Sequence, residues 1–468
     1  MTAIAPATPP AAPAAPVLAG SNPPQHRLPF LKYLKAVRTN FIEGLDEGMY
    51  REKIIRQQTI GPASFIVNDP TGIRRVLLEN AANYPKAAVE HRILGPGLGN
   101  GLILSEGETW RAHRRTMAPA FDARIVEQYS PVMADAAQKL GDQWQALAPG
   151  STIEISSVMM GLTLEIISRS MFAADSDSIV GLVREGSDGY QKVMMPGLLE
   201  FVPGLGLIWS SLKSMFGRAA LKQVDRAVFR LIAARQNGSM EPSKPDLLDR
   251  LIAARDEQTG KGMTAGEIRD QILTIFVAGH ETTALALMWT WYLLSLHPQH
   301  EARLHAELDR VLAGRPPHWA DVPKLTYTRM VLQESMRLYP PAHTMAFREA
   351  QADDVICGMK VPKGSTVTII PWLVHRHRGL WQEPERFDPE RFTAQASAGR
   401  ERLAYIPFGF GPRVCIGASF AMTEEVMILA TLAQRFRLRL AQTHPVEPLA
   451  RFTLTVKNGM KMEVMPRG

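Results

Sequence analysis

The chain is poor in cysteine. Two occur in 468 residues, Cys357 and Cys415. That excludes a disulfide scaffold and any four-cysteine zinc or iron–sulfur site. It fits a reducing compartment, and the expected location is cytoplasmic. No long run of one charge sign is present, and the net charge is only +7. A nucleic-acid binder concentrates its positive charge more than this, so nucleic acid is not expected as a partner. Standard nucleotide loops are also missing. Gly95, Gly97, Gly99 and Gly101 alternate, but no GxGxxG follows a strand, and there is no GxxxxGK[ST] or GxSxG. Directly bound NAD(P)H or flavin is therefore not expected.

An unbroken apolar leader is missing too. Residues 1–24 hold eight Ala and seven Pro, and the first charge is Arg27. A signal peptide needs a basic start and a continuous apolar stretch. Residues 1–25 read as a disordered arm, and 26–468 as a single domain. No transmembrane anchor is expected. The one long apolar segment, Gln271 to Leu296, carries Glu281 at its middle, which is costly at bilayer depth. It reads instead as part of a long helix through a protein core. Thr264 and Glu267 have capping-box spacing at its start, so the helix would run from Ala265 to Leu296, roughly 48 Å.

What is present is mainly helical. Apolar residues three and four apart predict helices over Pro131–Leu147, Gln223–Arg235, Pro298–Leu312 and Thr328–Leu338. Strand signals are few: Ser64–Val67; Val355–Ile370 around a Pro362-Lys363-Gly364 turn; and Phe452–Val464, where Asn458-Gly459 predicts a hairpin. Residues 190–210 are apolar and broken by Pro and Gly, which suggests a flap between helices. The expected class is mainly α with a minor β part.

One segment carries distinctive chemistry. In Phe408-Gly409-Phe410-Gly411-Pro412-Arg413-Val414-Cys415-Ile416-Gly417, glycines allow a tight turn and close approach to a flat ligand. Cys415 then precedes a helical stretch, whose N–H groups favour a thiolate. A thiolate so held is a good axial ligand for haem iron. His280-Glu281-Thr282-Thr283 begins like a zinc-protease HExxH, but position 284 is Ala and the second ligand is missing.

The Phe408–Gly417 spacing resembles the haem-ligand loop of the cytochrome P-450 family, the haem-thiolate monooxygenases. Three further motifs resemble that family in order, from about residue 60 to the end. Trp110-x-x-x-Arg114 looks like its WxxxR segment; positions four apart share a helix face, so both would reach haem propionates. Arg111, His113 and Arg115 beside it are expected in solvent or on a partner face. Glu334-Ser335-Met336-Arg337 resembles the ExxR helix, with Arg391 as the third member of a structural network. Pro384–Phe387 duplicates the sequence around Arg391. Ala278-Gly279-His280-Glu281-Thr282-Thr283 looks like the oxygen-activating turn of the central helix.

The resemblance implies the cytochrome P-450 fold with a long helix over the haem, haem b as cofactor and O2 as co-substrate. Cys415 would be the axial ligand. Arg413, Trp110, Arg114 and Arg348, with Phe408, Gly409 and Gly417 of the loop, would bind the haem. Thr282 and Glu281 would be catalytic, because oxygen–oxygen cleavage needs two delivered protons. By position, Leu102, Ile103, Phe276, Ala278, Thr283, Thr344, Met345 and Leu454 would line a pocket for a lipophilic substrate such as a fatty acid, terpenoid or aromatic compound. The chain ends after the last strands, so electrons would come from a separate ferredoxin or flavodoxin with its reductase. Two alternatives keep the haem: a peroxide-using hydroxylase or decarboxylase, which the Glu281–Thr282 pair opposes, and a non-catalytic haem sensor.

Overall fold

The computed structural model describes residues 16–57, 62–148, 150–172, 222–239, 245–441 and 444–467. The predicted flap over 190–210 lies outside the described residues.

The capping box forms as spelled. Glu267 N–H donates to Thr264 Oγ1 at 3.2 Å, and Thr264 N–H to Glu267 Oε2 at 2.8 Å. The helix it starts runs Ala265–Leu296, 32 residues, and is mostly buried. It is long and apolar enough to cross a membrane, but its neighbours are other core helices. Ile155–Phe172 packs along one side of it. Trp289 stacks on Tyr339 with ring centroids 4.2 Å apart, tying it to the chain after the Thr326–Leu338 helix. Pro298–Leu312 runs as predicted. The helix expected from Pro131 begins at Ala123, ends at Gln145 and carries Pro131 inside it. The chain is helical over 222–236.

Among the described residues the strands are short and fall into four small sheets. β1 (Ile54–Gln57), β2 (Ser64–Val67), β7 (Thr366–Ile369) and β4 (Met345–Glu349) pair in that order, with β2 and β7 parallel. β5 (Asp354–Ile356) and β6 (Met359–Val361) form a hairpin. β3 (Thr152–Glu154), β11 (Lys461–Pro466) and β8 (Phe436–Leu440) form a third sheet; β9 (Pro448–Ala450) and β10 (Leu454–Val456) form the fourth.

One turn holds and two expectations need correction. Pro362-Lys363-Gly364 turns as expected, with Ser365 N–H on Pro362 C=O at 3.1 Å, and it links strands that do not pair with each other: β6 pairs with β5, and β7 goes to β2 and β4. The turn that closes a hairpin is Cys357-Gly358, both at positive φ (48° and 80°), the geometry a two-residue hairpin demands. Asn458-Gly459 likewise separates β10 from β11 without pairing them, because each strand has better-placed partners elsewhere. The described end of the N-terminal arm is packed rather than free. Leu18 is buried; Ala19 N–H donates to the Tyr292 hydroxyl at 3.1 Å, and the Tyr339 hydroxyl donates to Ala19 C=O at 2.8 Å.

Candidate active site

The cysteine loop is shaped by its glycines. Gly409 and Gly411 sit at φ 80° and 75°. A Cβ on Gly411 would also collide with the Leu77 carbonyl oxygen. The turn brings Cys415 N–H onto Phe408 C=O at 2.9 Å, just ahead of the Ala418–Ala433 helix. Cys415 is accessible although the loop sits among buried elements. A Cβ on Gly417 would meet no protein atom within 4 Å, so a flat group has room beside the sulfur. The Gly417 N–H and the Arg114 charge favour a thiolate, but burial outweighs both and pushes the free thiol up. Cys415 would hold iron as the thiolate, the form in which sulfur ligates a metal.

Cations gather beside this loop. Arg114 donates to Val414 C=O at 2.8 Å and so braces the residue before Cys415. The Arg413 guanidinium lies 4.5 Å from the Trp110 ring centre, donates to Ser105 C=O at 3.0 Å and pairs with Glu106 at 2.5 Å. Lys86 pairs with Glu90 at 3.0 Å and bridges backbone to backbone with Arg348. Both carboxylates are thus engaged, and buried Arg348 is left over. Its Nε finds no hydrogen-bond partner among the described residues. Burial pulls the pKa of Lys86, Arg348 and Arg413 down, and their mutual repulsion adds to this for Lys86 and Arg413. A buried cation without its anion is expensive. Three cations against two carboxylates is the donor set that an additional carboxylate, such as a haem propionate, would complete.

Beneath lies a closed polar clamp. Arg337 donates through Nε and one terminal nitrogen to Glu334 at 2.6 and 2.7 Å, and through the rest to the carbonyls of His375, Pro384 and Arg386. Arg391 approaches Glu334 at 3.4 Å and donates to the carbonyls of Gln382 and Glu383. Arg386, from the duplicate motif, instead pairs with exposed Glu383.

The middle of the central helix is opened. Between buried Phe276 and buried Thr283, Ala278 is exposed and Glu281 and Thr282 are half-exposed. The Thr282 hydroxyl donates to Ala278 C=O at 2.7 Å, its own helix backbone. Glu281 Oε1 accepts from the Thr453 hydroxyl at 2.5 Å. A Cβ on Gly279 would touch Ile167 at an ordinary 3.6 Å.

Comparison with known proteins agrees with this geometry. The Cytochrome P450 family profile matches residues 23–463. The chain belongs to the cytochrome P450 family. It is 37% identical over 388 residues to a cyclooctat-9-en-7-ol 5-monooxygenase of Streptomyces melanosporofaciens, covering 81% of each chain. It is 31% identical to a pentalenene oxygenase of Streptomyces avermitilis, covering 87% of this chain and 89% of that one. The crystal structure of the cytochrome P450DA heme domain superposes with a TM-score of 0.82 at 25% identity, covering 95% and 98% of the two chains. This P450 is thus a monooxygenase of a family that uses haem iron and O2.

The remaining predicted residues of this P450 scatter. Leu102 is buried, its N–H bonded to Gln271 Oε1 at 2.8 Å, and Ile103 is half-buried. Phe276 is fully buried and stacks on Phe172 at 5.8 Å. Thr344 is half-buried and its hydroxyl bonds His343 Nδ1 at 2.8 Å. Leu454 is fully buried. The Met345 side chain lies outside the described residues. Thr283 corrects the expectation: it is buried and faces Glu424 of the helix behind it, one position round from Thr282. His113 and Arg115 are not solvated as expected. His113 is buried against Gln271 and Glu267, and Arg115 pairs with Asp256 at 2.9 Å. Arg111 does stay exposed, beside Glu108.

Sequence reasoning missed Lys86, Glu106, Thr453 and Glu424. None stands in a motif singled out from the sequence. Glu106, Thr453 and Glu424 acquire their roles through partners distant in the chain, and Lys86 through its place beside Arg348.

Proposed function

We propose that this P450 hydroxylates a lipophilic terpenoid, with haem b held by Cys415 and electrons from a separate ferredoxin or flavodoxin and its reductase, in the cytoplasm. The observation that carries the reading is the pair of openings in an otherwise buried core: the Cys415 side chain and the Ala278–Thr282 turn. The names of the two Streptomyces relatives support the substrate class.

Haem, when bound, supplies the redox and oxygen chemistry. The chain supplies the rest. Cys415 gives up its thiol proton, and Gly417 N–H and Arg114 steady the negative sulfur. Arg348, Lys86, Arg413 and Trp110 would hold the propionate side. Thr282 Oγ1 holds a proton within the opening, and the Glu281 carboxyl renews it from the solvent side. The net reaction consumes one O2, two electrons and two protons, and returns a hydroxylated product and one water.

The test is turnover under 18O2 with a surrogate ferredoxin system, offering cyclic terpenoid alkenes and alkenols beside fatty acids. One labelled oxygen in a terpenoid alcohol is the expected result. Labelled fatty-acid products with no terpenoid oxidation would reject the substrate class. Equal turnover on hydrogen peroxide alone would reject the need for a redox partner.

A further inference from the structure

The stretch between β9 and β10 is gripped by the central helix at adjacent residues. The Thr453 hydroxyl donates to Glu281 Oε1 at 2.5 Å. The next carbonyl, that of Leu454, accepts from Trp289 Nε1 at 2.9 Å. Glu281 and Trp289 are eight residues apart, so they share one side of the helix roughly 12 Å along it. The stretch is fixed from the other side as well. Leu454 N–H donates to Pro341 C=O at 2.9 Å, and Arg451 N–H reaches back to Thr453 C=O at 3.2 Å. His343 Nε2 donates to Arg451 C=O at 2.9 Å. Burial keeps the His343 imidazole neutral, which leaves Nδ1 to accept from the Thr344 hydroxyl. Thr453 is itself buried. Its hydroxyl is therefore presented to Glu281 by backbone already held at four points, which is how a polar contact is made selective in direction.

We propose that Thr453 is a positioning residue for the Glu281 carboxylate, and that through it residues 451–454 couple the side at Thr344 to the direction in which Glu281 points. This rests on the reading that Glu281 relays protons. A carboxylate half-exposed at a helix opening has several rotamers available. A buried hydroxyl that donates to one of its oxygens selects among them. A substrate pressing on residues 451–454 would then move the carboxylate with the contact, and proton supply would depend on how the pocket is filled.

The test uses the full-length, haem-loaded chain and three variants: Thr453→Val, which keeps the shape and loses the hydroxyl; Thr453→Ser, which keeps the hydroxyl; and Glu281→Gln. The first readout involves no turnover: the C–O stretching band of the ferrous carbon monoxide complex. The second is the share of electrons from a surrogate ferredoxin system that ends in hydrogen peroxide. Thr453→Val should move the band in the same direction as Glu281→Gln and raise the peroxide share roughly fivefold, the factor an ordinary net hydrogen bond is worth. Thr453→Ser should match the wild type in both. If Thr453→Val behaves as wild type while Glu281→Gln does not, the positioning role is wrong and the relay stands. Equal shifts in Val and Ser would mean packing, not the hydroxyl, and would also overturn it. A wild-type Glu281→Gln would remove the relay reading and this inference together.

Discussion

Two buried arginines divide the molecule. Arg337, on the Thr326–Leu338 helix, has every N–H spent: two on Glu334 and the rest on three backbone carbonyls. Arg348, on β4, sits near Glu90 and Glu106, but those carboxylates are paired to Lys86 and Arg413, and its Nε is unpartnered. Arg337 is saturated as the chain folds, while Arg391 beside it approaches Glu334 only as an ion pair at 3.4 Å. Among the described residues, the cradle beside the cysteine loop is one anion short. Saturation marks a structural site, and a buried polar deficit marks a binding one.

The largest effect sharpens the cradle side. Cys415→Ala should abolish the strongly red-shifted Soret band of the ferrous carbon monoxide complex and all oxygenation, while the clamp keeps the chain folded. A red-shifted band in folded Cys415→Ala would mean another ligand. The clamp is tested by Glu334→Ala. It leaves Arg337 buried with two donors unpaired and should lower stability by about 3–5 kcal/mol, read from the urea midpoint of the holoprotein. Normal stability and normal haem content in that variant would mean the network carries no load.

The two regions were not equally legible. Glu334 and Arg337 stand three apart, and Thr264 and Glu267 form their box locally, so spacing alone places both pairs. Cys415 is announced by glycines whose positive φ the turn requires. Arg348 was expected at the propionates from the resemblance alone, and its deficit became visible only when Lys86 and Glu106 were seen around it. The hairpin at Asn458-Gly459 failed for the same reason in reverse. A local turn signal was overruled by partners from β3, β8 and β9, which no nearby residue encodes. Thr283 failed by one position, because neighbouring residues on a helix face different ways.

A pH test separates buried groups that are satisfied from those that are merely neutral. Burial pushes the Glu425 carboxyl up to about 8 and holds His343 near about 4 and His375 near about 3, with the Arg337 and Arg376 charges adding to the latter. The histidines are neutral when folded. Their contribution is fully present above the unfolded histidine pKa, about 6.5, and is lost as pH falls toward 4. Glu425 acts oppositely. Folded, it keeps its proton to about 8; unfolded, it loses it near about 4.3, so its contribution is lost as pH rises between these values. Glu425→Gln should therefore gain on the wild type by up to about 1.4 kcal/mol per pH unit between pH 5 and 8, and level off above. Thermal midpoints across pH 5–9 would show it. A constant offset would mean that Glu425 is not neutral in the folded chain.

The smallest expected effect cuts the comparison most finely. Arg348→Met removes a buried cation that no carboxylate pairs and replaces it with an apolar chain of similar length. If the cradle is completed only by an outside anion, the apoprotein should gain about 1–2 kcal/mol, because an unsatisfied donor and an uncompensated charge leave the interior. The holoprotein should at the same time release haem to excess apomyoglobin roughly tenfold faster, the factor a charge-assisted hydrogen bond is worth. Opposite signs in the two states are what distinguish Arg348 from Arg337, whose loss must destabilise both. An Arg348→Met apoprotein less stable than the wild type would place this arginine with the clamp.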